Sequence, residues 1–172
     1  MSLRPLSSRD TRMELAAGWR DVCSPANAVY RSILVPTDGS ACSERAERHA
    51  VELAKAADAT VVFLFVMDTV ENYWEGGMSD VRRKLSAAGH QALARARSMA
   101  AQEGVQAETE ILDGSPVEVI LERAEDFDLV LMASHGKGLW KRLTVGSVTQ
   151  AVLHRLTRPL LLVPCFDTPP AR

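Results

Sequence analysis

The chain has 172 residues, enough for one domain with a sizeable core and some spare length. An apolar fraction of 47%, a charged fraction of 24% and a formal net charge of -2 fit a soluble globular protein and exclude a global pull toward nucleic acid or anionic membrane. No apolar run reaches transmembrane length, and Arg4, Arg9 and Arg12 are followed by no uninterrupted apolar core of a secretory signal, so a cytoplasmic protein is expected.

Residues 1–29 read as an extension. Residues 3–12 are polar and rich in Ser and Arg, while Leu15, Ala16, Trp19 and Val22 recur at helical spacing. A short amphipathic helix and a partly ordered leader both fit. The domain proper is expected over 30–166, with 167–172 as a tail. Ile33, Leu34 and Val35 form a β-branched-rich run that suits a central strand and ends in the turn cluster Pro36 to Ser40. Ser40 is placed to cap a helix over 41–57, with Ala46, Ala50, Leu53 and Ala57 on its inner face and Glu44 and Arg48 as an i,i+4 pair outside. Residues 60–66, TVVFLFV, are apolar on both faces, as an interior parallel strand should be.

Residues 67–78 contain Gly76 and Gly77, have no clear period, and read as a loop or lid. A long helix is expected over 79–103, with Val81, Leu85, Ala88, Ala92, Ala96 and Met99 along its apolar side; Gly89 interrupts it and Gly104 stops it. Residues 105–112 alternate like an edge strand with one wet face. Ser115, Pro116 and Glu118 then have the spacing of a capping box with proline at the first helical position, and Val117, Ile120, Leu121 and Ala124 form that helix's buried face. A strand over 129–132, a helix from Ser147 to about Leu156, and a last apolar strand over 160–163 behind Pro159 complete the pattern. Strand–helix four times and then a strand predicts a single doubly wound α/β domain: a five-stranded, mainly parallel sheet with helices on both faces. The pattern alone leaves the strand order open.

The segment between the fourth strand and the helix at Ser147 carries the chemistry. It holds Gly136, Gly138 and three cations, Lys137, Lys141 and Arg142, with Leu139 and Leu143 spaced like a helical turn. A strand, a glycine loop with free backbone amides and a helix amino end is an arrangement that holds phosphate, and Ser147 can either cap the helix or donate to a phosphate oxygen. Asp38, after the first strand, can accept from ribose hydroxyls or an adenine amino group, or can cap its own turn. The three cysteines, Cys23, Cys42 and Cys165, are widely spaced with no CxxC or Cys/His cluster, so three reduced thiols are expected rather than a zinc site or a disulfide framework. His135 sits inside the loop and can hydrogen-bond a phosphate, while His49, His90 and His154 lie on helices without partners at ligand spacing. A structural or solvent role is expected for all four, and no metal site is expected, Asp68 and Glu71 after the second strand reaching a ligand only through an ion.

The spacing Ala133, Gly136, Gly146, Ser147 resembles the nucleotide-binding motif of the universal stress protein family: Gly, two residues, Gly, nine residues, Gly, then Ser or Thr. Here Ala133 replaces the first glycine. The similarity extends over about 30–165 and includes ILVPTDGS at 33–40, FVMD at 65–68 and GSP at 114–116. It implies strand order 3-2-1-4-5, which would set strands one and four side by side with a crevice at their carboxyl ends. It also implies a site for ATP or AMP, with Mg as a companion ion. Asp38 would face the adenosine, Pro36 and Thr37 a wall, and the backbone at Val66 the adenine. Met132, Ala133, Gly136, Gly146, Ser147, Val148 and Thr149 would surround the ribose and phosphates; apart from the resemblance, Lys137, Lys141 and Arg142 can neutralise phosphate charge or stand as solvated loop residues. It implies, finally, a homodimer through the 160–163 edge strand.

No nucleophile–base pair, nucleophile elbow or Walker lysine motif is present. The expected role is therefore sensing, by an adenine-nucleotide-binding stress-response regulator with an unknown regulatory protein partner and no nucleic-acid or membrane partner. Slow ATP hydrolysis or self-phosphorylation on Ser147 or Thr149 stays open. The alternatives are a non-nucleotide-binding member that acts as a protein-interaction dimer, which Ala133 favours, and an ATP pyrophosphatase or adenylyl transferase, which the single glycine in TDGSACS disfavours.

Overall fold

The computed structural model describes residues 30–68, 78–135 and 145–165. The expectations for the 1–29 extension, the Gly76-Gly77 loop, Gly136, Lys137, Lys141, Arg142, the 139/143 turn, Cys23, Glu71 and the tail lie outside these residues. Within them the elements run β1 (Ser32–Thr37), α1 (Ala41–Ala57), β2 (Thr60–Met67), α2 (Met78–Gln102), β3 (Ala107–Asp113), α3 (Pro116–Ala124), β4 (Leu129–Ala133), α4 (Ser147–Arg155) and β5 (Leu160–Val163).

The sheet has the order β3-β2-β1-β4-β5, and every pairing is parallel. Because successive side chains of a strand point to opposite faces, each strand feeds two cores. Val61, Phe63, Phe65 and Met67 of β2 join Ala46, Ala50 and Ala54 of α1 and Ala92, Ala96 and Ala100 of α2. The intervening Val62 and Leu64 join Leu34, Val130 and Met132 under Ile120 and Ala124 of α3 and Val152 of α4. The small residues on α1 and α2 let these helices lie close to the sheet. Gly89 marks the tightest approach: a Cβ there would come within 2.7 Å of Cδ1 of Phe65, so the glycine in mid-helix makes room for a ring.

Several boundaries differ from the sequence expectation for local reasons. β3 begins at Ala107, not Val105. Gly104 takes φ +72, and the amides of Gly104 and Val105 turn back onto the carbonyls of Ala101 and Ala100 at 3.2 and 2.9 Å, so Val105 belongs to the helix terminus. The capping box at Ser115 does not form: Ser115 makes no side-chain cap bond, while Glu118 pairs with both terminal nitrogens of Arg155 on α4 at 2.5 and 2.7 Å. At the opposite end of the sheet, Asp128 Oδ2 accepts from the amides of Arg31 and Ser32 and from the Ser32 hydroxyl, at 2.9, 3.1 and 3.1 Å. These bonds, the Arg31 amide first, hold the Asp128 carboxyl below its usual range and tie the start of β4 to the start of β1.

The expectation of three free thiols is overturned. Cys42, in the first turn of α1, is disulfide-bonded to Cys165, just beyond β5, across a Cα–Cα distance of 5.4 Å. A separation of 123 residues hides such a pair from spacing rules, which read only near neighbours.

Candidate functional site

The site begins where a ladder stops. β1 and β4 are paired only at Ile33↔Leu129 and Leu34↔Val130, after which β4 continues on β5 as far as Ala133↔Val163. The winding direction changes at this seam, and the two carboxyl ends diverge. β1 itself runs on through Pro36, beyond the last rung to β4, where a residue with no N–H to give is tolerated. Between the diverging ends opens a cleft of about 440 Å³, within the range of small-molecule sites.

Ten residues named from the sequence line it: Pro36, Thr37, Asp38, Val66, Met132, Ala133, Gly146, Ser147, Val148 and Thr149. The remaining two, Gly136 and Lys137, fall outside the described residues. Sequence reasoning missed Ser43, Leu64, Pro116, Ile120 and Val145, which also line the cleft. Leu64 and Ile120 had read only as core, and their period carries no sign that one edge of that core is open.

On the β1 side, Asp38 Oδ1 accepts from the Ser40 amide at 2.9 Å and from the Ser43 hydroxyl at 2.8 Å. The carboxylate is thus fixed by the turn and by the first turn of α1, where Ser40 is the N-cap, as its spacing predicted. Gly39 takes φ +74 and packs with its Cα side against Ala92, 3.1 Å from where a Cβ would stand. Its amide donates to Thr37 Oγ1 at 3.1 Å, and the Thr37 hydroxyl donates to the buried Glu47 at 2.5 Å. Burial pushes the Glu47 carboxyl above its usual range; the Thr37 bond opposes this, Glu44 and Asp38 add to it, and Arg95 draws it back.

This raised carboxyl has a stability consequence. The folded state keeps the Glu47 proton at pH values where the unfolded chain, near about 4.3, has released it. The stabilisation is therefore complete below that value and is lost as pH rises through the folded one. Glu47→Gln, which keeps an acceptor for Thr37 and cannot ionise, is expected to remove that part of the decline. Urea midpoints from about pH 4 to pH 8 check it: the variant should gain on the parent as pH rises, and parallel curves would show that Glu47 is not the titrating group.

On the β4 side, Ala133 stands where the motif has glycine. It is in extended strand, and the only described non-glycine residue with positive φ is Asp58. Its methyl belongs to the α1–α2 core with Leu129 and Leu131, so the added atom points away from the cleft while the backbone borders it. Alanine therefore costs the site little. Ser134 gathers the neighbouring chain: its amide donates to the Val163 carbonyl at 2.9 Å, its carbonyl accepts from the Gly146 amide at 2.8 Å, and its hydroxyl accepts from the Cys165 amide at 3.2 Å. Gly146, not Ser147, is the N-cap of α4. Ser147 is exposed in the first turn, whereas Thr149 is buried and donates to the Ala133 carbonyl at 3.1 Å, which removes it as an open phosphate acceptor. His135 Nδ1 lies 3.0 Å from the Ser134 hydroxyl, and its buried Nε2 has no hydrogen-bond partner among the described residues. Among the described residues no cluster of His, Cys, Asp or Glu could hold a metal ion, and no helix is long and apolar enough to cross a membrane.

The cleft therefore has a carboxylate-bearing turn on one wall, an amino end of a helix on the other, and an apolar floor of Leu64, Ile120 and Met132. The chain is thus a doubly wound α/β domain with a parallel sheet and a cleft of small-molecule size at its switch point. The chain belongs to the universal stress protein family: the model described as "Usp: Universal stress protein family" matches residues 29–164. Universal stress protein MJ0531 of Methanocaldococcus jannaschii is 36% identical over 140 residues, 78% of this chain and 82% of that protein. The solved structure of MJ0577, from the same organism, is similar with a TM-score of 0.75 at 30% identity, covering 81% of this chain and 99% of that one. A universal stress protein crystallised in complex with cAMP is similar with a TM-score of 0.62 at 25% identity, over 78% of this chain and 97% of that one.

Proposed function

We propose that the protein is a cytoplasmic, homodimeric regulator of the stress response that binds an adenine nucleotide, ATP or AMP. One observation carries this reading: the Asp38 turn and the α4 amino end border the same cleft. The adenine lies against the Val66 backbone between Leu64 and Ile120, with Pro36 and Thr37 as a wall. Asp38 receives ribose hydroxyls or the adenine amino group. Phosphates meet the first-turn amides at Ser147 and Val148, with Gly136, Lys137 and Gly146 completing the loop and Mg accompanying the phosphates. The family member crystallised with cAMP supports an adenine ligand. The apolar β5 edge, where Leu161 is 39% exposed, is the surface through which two copies pair.

Calorimetric titration with ATP, AMP and GTP, with and without magnesium, tests the reading. Adenine nucleotides should bind at least about tenfold more tightly than GTP, a difference of about 1.4 kcal/mol, and the protein should have the mass of a dimer. Absence of binding heat and of any thermal shift with all three nucleotides would overturn the ligand assignment.

A further inference from the structure

We propose that Cys42 and Cys165 are a reversible thiol–disulfide modification site that exchanges with low-molecular-weight thiols and disulfides and, when oxidised, clasps the two walls of the cleft together. The placement of the bond carries the proposal. Cys42 precedes Ser43, whose hydroxyl holds Asp38 at 2.8 Å. Cys165 is held through its amide by Ser134, the residue that also fixes Val163 and Gly146. The β1–β4 ladder ends at Leu34 and Val130, well short of these positions. Beyond it no backbone rung joins the two strands, and the disulfide is the covalent link between the β1-side and β4-side walls.

The two sulfurs are unequal. Cys42 is 7% exposed and sits in the first turn of a 17-residue helix, whereas Cys165 is partly exposed at the chain's exit from the sheet. A small thiolate attacks the Cys165 sulfur. The protein S–S bond breaks and Cys42 leaves as a thiolate, which the helix amino end favours. A second small thiolate attacks the small-molecule sulfur of the mixed disulfide and releases Cys165. The net change is one protein disulfide plus two small thiols giving two protein thiols plus one small disulfide; the reverse reaction closes the clasp. A disulfide in a cytoplasmic protein is more often such a transient, redox-sensing bond than a fixed framework.

The effect on nucleotide rests on the function proposed above; the exchange of the thiols and the motion of the walls do not. The full-length protein is equilibrated in folded form with a small disulfide or a small dithiol, alkylated and digested. A linked Cys42–Cys165 peptide is expected in the first case and both residues alkylated in the second. Amide hydrogen exchange at Ser43, Gly146 and Cys165 should be at least about tenfold faster in the reduced protein, and Cys165→Ser should match the reduced protein under both conditions. A bond that stays closed until denaturant is added, thiols that never pair, or equal exchange rates in the two forms would overturn the proposal. Reduction should weaken ATP binding about three- to tenfold. If neither form binds nucleotide while the exchange rates differ, the clasp stands and the nucleotide reading fails.

Discussion

Phe63→Ala is expected to destabilise the protein by about 3–5 kcal/mol. Phe63 is fully buried in the middle of β2, which is itself covered by β1 and β3 on its flanks and by α1 and α2 above. Its ring fills space between helices whose facing residues are alanines, Ala46 and Ala50 on one and Ala92 and Ala96 on the other. Small neighbours cannot lean in to fill the void, so the cavity term adds to the lost transfer energy. Total stability for a domain of this kind is about 5–15 kcal/mol, so the variant stands near the limit of folding. Urea unfolding measures it: the midpoint should fall sharply with the slope unchanged. Leu153→Ala, at a position 48% exposed, provides the contrast and should stay within about 0.5 kcal/mol of the parent. A loss below about 1.5 kcal/mol for Phe63→Ala would show that this layer is not packed as described.

The second large effect concerns Asp38. Asp38→Ala should weaken adenine-nucleotide binding at least about tenfold to a hundredfold, because a buried ligand hydroxyl or amino group loses a charged acceptor, a change of about 1.5–3 kcal/mol. The same substitution removes the acceptor for the Ser40 amide and the Ser43 hydroxyl, so a stability loss of about 1 kcal/mol accompanies it. Asp38→Asn separates the two roles. Its side-chain carbonyl can still receive both bonds from the turn, so stability should stay close to that of the parent while affinity falls. Isothermal titration alongside urea midpoints for both variants decides the matter. Unchanged affinity in Asp38→Asn would leave Asp38 a turn-forming residue only.

The fold was legible from periodicity because its elements obey local rules strongly. β2 is apolar on both faces, as only an interior parallel strand is, and Ser40 and Gly104 mark helix ends through bonds made within a few residues. The strand order was not legible from pattern; it came from the family resemblance, since crossover direction and pairing depend on contacts far apart in sequence. The same distance explains the misses. Glu118 looked like half of a capping box because Arg155, its actual partner, lies 37 positions away. Cys42 and Cys165 looked unpaired for the same reason. The cleft's composition was largely readable because a glycine loop and a carboxylate turn advertise themselves in short motifs. Its floor was not, because Leu64 and Ile120 obey the ordinary inward-facing period, and nothing local distinguishes a residue beneath solvent from one beneath a helix.

The two layers on either side of the sheet are unequal. One carries helices of 17 and 25 residues, the other two of nine, and the cleft is cut into the thinner side. A flat heteroaromatic guest resting on Leu64, Ile120 and Met132 would act as a detachable piece of that side's interior. Occupancy should then tighten α3 and α4 far more than α1 and α2, so that whatever reads the signal finds it on the short-helix surface.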